Sequence, residues 1–287
     1  MKNDIGKRMK EFYEVRTRTY LPRRTNTIIR IDGKSFHTYT KGLGRPFDKS
    51  LIEDMVETTK FLCKEIQGAK LGFCQSDEIS ILLTDYDKIG THAWFDGQVQ
   101  KIVSVAASLA AAKFNQLRYI RMQEISKSEE SDFETFVYDS LRSMPLAVFD
   151  ARVFSIPQMH EVVNYFIWRQ EDATRNSISM VAQANFSHNQ LHKKTTSNMQ
   201  DMLMEKGINW NDYSSSEKRG SLIKKVYTTW IMNDNDPKTA TQVVPNMSSP
   251  LLANQKEFSR GTWKAIDTPI FTEDKDSIFN LMPGNVS

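Results

Sequence analysis

Cysteine is almost absent from this chain. Two thiols, Cys63 and Cys74, stand among 287 residues, in no metal-like spacing. That count excludes a disulfide scaffold and a structural zinc site, and makes a reducing cytoplasm the expected setting. Long apolar runs are missing as well. No stretch of about 18 apolar residues occurs, which excludes a membrane-spanning helix. The opening Met1-Lys2-Asn3-Asp4 lacks the apolar core of a signal peptide. Charge of one sign is not in excess either: 38 Lys and Arg against 35 Asp and Glu leave +3, which permits a nucleic-acid partner without demanding one. There is no internal repeat. What is present is 39% hydrophobic and 10% aromatic residues, enough for one large or two small globular domains with a sizeable core.

The informative stretches are two acidic corners. Thr27-Ile28-Ile29-Arg30-Ile31-Asp32-Gly33 is a β-branched run that stops at a carboxylate. Phe73-Cys74-Gln75-Ser76-Asp77-Glu78 is the second, a corner between strands predicted over 69–74 and 79–84. If the first strand neighbours either of these in one sheet, Asp32 and Asp77 meet at one end of it. Two carboxylates that close repel unless a cation lies between them. Carboxylate and backbone-carbonyl oxygens suit Mg²⁺, which completes its shell with water and substrate phosphate. Residue types alone leave a second reading open, in which Asp32-Gly33 is a turn and Asp77-Glu78 a solvated hairpin tip.

The rest of the chain falls into order around these corners. Residues 1–24 are charged, and Met9, Phe12, Tyr13 and Val15 predict a short helix packed on the body. Gly42 and Gly44 let backbone amides approach a ligand, and Lys34, Lys41 and Arg45 place three cations near the first corner. The Gly-Lys-Ser/Thr ending of a Walker motif is absent there. Asp48 reads as the N-cap of a helix with Leu51, Ile52, Met55, Val56, Thr59, Leu62 and Cys63 at helical spacing. A second helix is predicted over 94–114, a polar excursion over 121–140, and a fourth strand over 147–154, with Asp150 and Arg152 on one face. The order strand, helix, strand, strand, helix, strand predicts an α+β, ferredoxin-like βαββαβ core with an antiparallel sheet, the architecture of polymerase palms and nucleotidyl cyclases. Beyond Pro157 the chain reads as mainly helical, with a strand over 222–227, a loop over 233–260 and an apolar anchor over 267–272. The expected division is a catalytic domain over 1–157 and a C-terminal domain over 158–287. His188 and His192, four residues apart, have no third ligand beside them and read as solvated or RNA-facing.

Taken together, Arg30-Ile31-Asp32-Gly33-Lys34-Ser35-Phe36-His37, Gln75-Ser76-Asp77-Glu78, Phe149-Asp150-Ala151-Arg152-Val153 and Trp168-Arg169-Gln170-Glu171-Asp172 resemble the motifs of the tRNA(His) guanylyltransferase family. Gly207-Ile208-Asn209-Trp210-Asn211 and Lys218-Arg219-Gly220 match weaker C-terminal patterns, so the resemblance spans about residues 5–230. It implies a 3′-to-5′ nucleotidyltransferase that extends the 5′ end of tRNA with ATP and GTP as substrates, usually as a homotetramer. It implies Asp32 and Asp77 as the catalytic pair and, with the Gly33 carbonyl, as ligands of two Mg²⁺. Asp32, Gly33, Lys34, Ser35, Phe36, His37, Arg45, Ser76 and Asp77 are then the nucleotide-binding residues. Arg30, Lys41, Asp48, Glu78 and Lys101 are candidates for the triphosphate or for supporting the metal ligands. Arg169, Arg175, Asn176, Asn209, Lys218 and Arg219 are candidates for tRNA contact.

The chain departs from the family in two places. Thr174-Arg175-Asn176-Ser177 replaces the His-Ile-Asn-Asn that eukaryotic members tie to the tRNA(His) anticodon, and of a basic Arg-Arg-x-x-Lys only Lys101 remains. Both look like the bacterial like-protein branch, which repairs truncated tRNA 5′ ends against the opposite strand. Repair is therefore the expected role, with addition of the extra G to tRNA(His) second. A cyclase on the same palm, active on nucleotide alone, and a non-catalytic RNA-binding module are the rivals.

Overall fold

The structure is a computed structural model that describes residues 4–126, 145–233, 236–242 and 257–284. Helix α1 (Ile5–Met9) continues through a π turn, Lys10–Glu14, and a 3₁₀ turn, Val15–Thr17. The predicted packing of this helix is corrected: Met9, Phe12, Tyr13 and Val15 face outward, with Tyr13 65% exposed. Its neighbouring arginines are engaged at the surface, Arg18 with Glu14 and Arg23 with Asp85 and Asp96.

Strand β1 (Asn26–Gly33) leads into a one-turn helix α2 (Phe36–Tyr39). Helix α3 (Lys49–Glu65) starts at Asp48, whose Oδ1 accepts the Leu51 backbone N–H at 2.9 Å, as an N-cap should. Strands β2 (Ala69–Gln75) and β3 (Glu78–Thr84) form a hairpin closed by Ser76 and Asp77. The second helix does not begin at Trp94. A 3₁₀ turn, Trp94–Gly97, carries Phe95 and Asp96 at left-handed φ of 48° and 54°, which breaks the helix there. Helix α4 (Val99–Ser126) follows and extends into the polar excursion; residues 127–140 of that stretch lie outside the described residues. Strand β4 (Phe149–Ile156) completes the predicted core order.

Then come α5 (Met159–Asn185), α6 (His188–Leu191), α7 (Thr196–Glu205) and α8 (Ser215–Arg219). Strands β5 (Ser221–Asn233), β6 (Asp236–Gln242) and β7 (Glu257–Ile266) and the short α9 (Asp276–Phe279) close the described chain. The loop expected over 233–260 is thus partly strand. Neither Asp236–Gln242 nor Glu257–Ile266 shows a clean apolar alternation, so the period-two signal is missing.

All the described strands join one seven-stranded sheet in the order β4-β1-β3-β2-β5-β6, with β7 also paired to β5. Pairing is antiparallel throughout, and strands from both sides of residue 157 share it. Only Ser221 to Lys224 of β5 pair with β2, so the remainder of β5 and its partners form a ribbon beyond the palm sheet.

The pleat sends Ile29, Ile31, Ile79 and Ile81 to one face, under α3 and α4 with Leu62, Ile102 and Phe114. It sends Ile28, Leu71, Phe73 and Leu82 to the other, against Val162, Val163 and Phe166 of α5. Each such fully buried side chain contributes about 1.5–3 kcal/mol. Cys63 and Cys74 are both free and buried, and burial raises both thiols. The predicted C-terminal anchor holds: Phe271 is fully buried against Phe73, and Gln170 of α5 accepts the Phe271 N–H at 2.8 Å while donating to the Pro269 carbonyl at 2.7 Å. Among the described residues, no helix is long and apolar enough to cross a membrane.

Candidate functional site

The two acidic corners meet because β1 lies beside β3. Asp32 stands opposite Glu78 on one side and Asp150 on the other. The Gly33 backbone N–H donates to the Asp77 carbonyl at 3.1 Å and fixes one corner against the other. The local backbone is sharply turned on both sides: Ser35 sits at φ 56° and Ser76 at φ 48°. Gly33 has to be glycine, since a Cβ there would lie 2.2 Å from the Phe36 ring, and that ring is locked among Tyr39, Phe114 and Phe149.

These turns open a cleft of about 630 Å³. Asp32, Gly33, Ser35, Phe36 and His37 form one wall, Ser76 and Asp77 another, and Lys41, Gly44, Arg45 and Asp48 a third. Met180 and Gln183 of α5 close it from a part of the chain with no sequence mark of its role. Ten predicted site residues therefore share one cavity. Lys34 does not line it; its side chain is exposed and its N–H donates to the Val148 carbonyl at 2.8 Å.

The electrostatics of the cleft are those of a cation-seeking site. Burial pushes the Asp77 carboxyl above the usual range, and the nearby charge of Asp32 adds to the shift, against bonds from the Ser76 hydroxyl and the local backbone. Arg152, which the sequence places beside Asp150 but not among the site residues, brings its Nη2 to 3.7 Å from Asp150 and 4.0 Å from Asp32. Asp48 shapes the loop rather than the floor: its Oδ2 accepts the Gly44 N–H at 3.0 Å and its Oδ1 the Ser50 hydroxyl at 2.5 Å. Arg118 of α4 donates in turn to Ser50 and to buried Asp54.

Glu78 does not line the cleft; its carboxylate turns towards α5 and meets Arg169 there. Its carboxyl is raised by burial, with Arg169 and Arg30 drawing it back. Arg169 is a correction. Expected as a tRNA contact, it is 5% exposed, with Nε 2.8 Å from Glu78 Oε1 and Nη2 2.6 Å from Asp172 Oδ2, and its guanidinium lies over Trp168. The Nε–H is not aimed along the Glu78 contact, so the pair is held by charge more than by a hydrogen bond. Arg30 also faces this layer, over the Trp168 ring.

Lys101 is a second correction. It lies in the first turn of α4, over Phe95, at the end of the sheet where β3 finishes and far from the corner where β3 begins. Arg175 is paired with Asp172 at the α5 surface, and Asn176 is exposed one residue further. Asn209 caps the turn at Trp210–Asp212, Lys218 donates to the Asn211 carbonyl, and Arg219 closes α8.

Oxygen donors at this corner fit Mg²⁺. Among the described residues there is no cluster of three or more His, Cys, Asp or Glu that could hold a metal. Two carboxylates and a backbone carbonyl leave open positions, which is how Mg²⁺ is usually bound when substrate phosphates supply the rest.

An antiparallel palm sheet bearing this carboxylate pair at the ends of neighbouring strands defines a nucleotidyltransferase of the palm class. The family model described as Thg1, tRNAHis guanylyltransferase, matches residues 6–157, and the chain belongs to that family. Among solved structures it is similar to a bacterial tRNA(His) guanylyltransferase (Thg1)-like protein in complex with ATP, at 42% identity and a TM-score of 0.73, covering 97% of this chain and 99% of that one. The same description in complex with GTP matches at 41% identity and a TM-score of 0.69, covering 96% and 98%. The tRNA(His) guanylyltransferase of Debaryomyces hansenii is 26% identical over 216 residues, 71% of this chain and 74% of that one.

Proposed function

We propose that this chain adds nucleotides to the 5′ end of tRNA in the 3′-to-5′ direction, and that it repairs truncated 5′ ends using the opposite strand as template. The observation that carries this is the carboxylate pair Asp32 and Asp77, stitched together at the floor of a cleft whose opposite wall holds Lys41 and Arg45. The bacterial like-protein structures with ATP and with GTP support purine triphosphates as its substrates.

Asp32, Asp77 and the Gly33 carbonyl are the residues that would hold two Mg²⁺. When bound, the ions supply charge neutralisation at the phosphates and a lowered pKa for the attacking hydroxyl. Lys41 and Arg45 draw the triphosphate chain along the loop wall, and Gly42 and Gly44 let backbone amides approach it. Ser76 and His37 bracket the phosphates from the other walls. The incoming nucleotide's 3′-hydroxyl attacks the activated 5′ phosphorus of the RNA; a P–O bond forms there and the leaving phosphate, pyrophosphate from a 5′-triphosphate, departs with its electron pair.

An RNA partner is supported by the ribbon beyond the palm. Strand β5 contains no Asp or Glu, and β6 and β7 contain one each, Asp236 and Glu257. Lys225 lies over Tyr227, and Arg260 over Trp230 and Phe258. Cations interleaved with aromatic rings suit phosphate contact and base stacking. We extend the reading to a cytoplasmic homotetramer, for which the outward apolar stripe of the N-terminal helix offers contact surface. In this scheme residues 1–157 carry the chemistry and residues 158–287 close the cleft and hold the RNA.

Template use is tested with tRNAs lacking the first nucleotide and varied at the facing base. Repair predicts that the added nucleotide follows that base. Addition of G whatever the facing base would replace repair with tRNA(His)-type activity, and product from nucleotide alone would replace both with a cyclase.

A further inference from the structure

One guanidinium reaches both ends of the loop that forms the third wall of the cleft. Lys41, Gly44 and Arg45 of that loop line the cleft, between α2 and the Asp48 cap of α3. Lys41 and Arg45 are exposed, so the packing of their own side chains does not place them. Phe47 gives the loop an apolar hold, its ring 5.3 Å from that of Tyr213. Apolar burial is non-directional and leaves the loop's orientation to hydrogen bonds.

Those bonds lead to Arg118 of α4, whose side chain is 14% exposed and does not line the cleft. On the α3 side its Nη1 donates to Ser50 Oγ at 2.9 Å. The Ser50 hydroxyl donates to Asp48 Oδ1 at 2.5 Å, and Asp48 Oδ2 accepts the Gly44 N–H at 3.0 Å. The relay thus runs from α4 to the residue before Arg45. On the α2 side the Tyr39 hydroxyl lies against the same guanidinium: burial raises the phenol, and the charge and hydrogen bond of Arg118 oppose the rise. A planar guanidinium presents five donors in a fixed fork, so it serves acceptors on several elements at once. Its third partner is Asp54, 1% exposed, whose Oδ2 accepts from Arg118 Nη1 at 3.1 Å while Oδ1 accepts from Arg121 Nε at 2.7 Å. Asp54 therefore keeps a cation when either arginine is removed.

We propose that Arg118 is a positioning residue for the cleft: it clamps the two feet of the 41–45 loop and so sets where Lys41 and Arg45 meet a bound triphosphate. This rests on the reading of the cleft as a nucleotide site. Tyr39 stands just before the loop and Ser50 just after it, so one side chain fixes the separation of the feet. Arg118 acts through the loop and touches no phosphate itself. A loose loop is felt in binding, because cations displaced by about an ångström lose much of their hold on the phosphates. Lysine is no substitute here, since its single ammonium lacks the fork that spans Ser50, Asp54 and Tyr39.

The test is equilibrium binding of inorganic triphosphate, with Mg²⁺ present, to the full chain as wild type, Arg118→Met, Arg121→Met and the double variant Lys41→Ala with Arg45→Ala. Both methionine variants strip one cation from Asp54, but only Arg118→Met frees the loop; Arg121 bonds to Asp54 and Glu53. Arg118→Met is expected to weaken triphosphate about tenfold or more. Arg121→Met is expected to stay within about twofold of wild type. Added to the Lys41→Ala, Arg45→Ala protein, Arg118→Met is expected to cause little further loss, because the cations it places are gone. If Arg118→Met does not fold, Arg118→Lys, which keeps a charge beside Asp54 without the fork, is measured in its place. Equal weakening by the Arg118 and Arg121 variants overturns the proposal, since it marks a general loosening of α3 against α4. So does a full loss that persists without Lys41 and Arg45. If wild type binds no triphosphate, the nucleotide reading of the cleft falls as well; if it binds and Arg118→Met binds equally, only the clamp falls.

Discussion

The backbone N–H of Gly33 donates to the carbonyl of Asp77 at 3.1 Å, so the two acidic corners are joined main chain to main chain. The carboxylates are thus held close by the backbone, without relying on a bond between their own side chains. That arrangement keeps a like-charged pair in place before any cation arrives.

Gly33→Ala tests how tightly that corner is built. The new methyl group meets the Phe36 ring at 2.2 Å, and the ring is packed on three aromatic neighbours. Overpacking of this kind costs about 1–3 kcal/mol. Urea unfolding is expected to show that loss together with a fall in nucleotide incorporation. A variant with wild-type stability and activity would mean that the corner yields easily.

Arg169 anchors α5 to the strand that carries Glu78. Arg169→Ala leaves Glu78 buried without its closest cation, which destabilises by about 3–5 kcal/mol. Combining Glu78→Gln with Arg169→Met removes both charges and is expected to recover most of the loss. Denaturant midpoints decide it; a cost below about 1 kcal/mol for Arg169→Ala would return Arg169 to the surface role that its sequence motif suggests.

Asp48 gives a pH signature. Burial works to raise its carboxyl, but bonds from the Ser50 hydroxyl and the Gly44 and Leu51 N–H groups outweigh this and hold it below the ordinary range. A depressed folded pKa means that its contribution is complete above the unfolded value, about 3.9, and is lost as pH falls through the lower folded value. Asp48→Ala is expected to cost about 1 kcal/mol at pH 7. The gap from wild type closes below about pH 4. Urea curves at neutral and acid pH check this, and a gap that widens on acidification contradicts it.

The ribbon carries a separable prediction. Lys225→Glu with Arg260→Glu is expected to weaken tRNA binding, and to reduce the slope of log affinity against log salt by about 1.5–2 for two lost phosphate contacts. ATP binding stays unchanged, because the ribbon lies beyond the palm sheet. Unaltered tRNA affinity at every salt concentration removes the ribbon from the RNA surface.

Much of the fold and of the acidic corner is legible in the sequence. Strand β1 and the hairpin were readable because Ile28, Ile29 and Ile31, and Ile79 to Leu83, are apolar runs stopped by acids. The α3 cap was readable from Asp48 and the apolar spacing after it. The α5 interior was only half read. Val162, Phe166, Arg169, Ala173 and Ser177 recur at helical spacing and are all buried. The helical spacing puts Arg169 inside, against the tRNA contact that the family resemblance implies, and Glu78 and Asp172 meet its charge there. Lys101 was misplaced because β3 runs away from the acidic corner, so the helix after it begins at the far end. Strands β6 and β7 left no apolar alternation to read.

The central claim is tested most directly by incubating the purified chain with a 5′-truncated, 5′-triphosphorylated tRNA, labelled GTP opposite a templating cytosine, and Mg²⁺, beside Asp77→Asn. Label is predicted in the tRNA with wild type and Mg²⁺, lost on chelation, and reduced roughly a thousandfold or more in Asp77→Asn. Absence of label with wild type, with or without ATP, would contradict the account; so would full incorporation by Asp77→Asn.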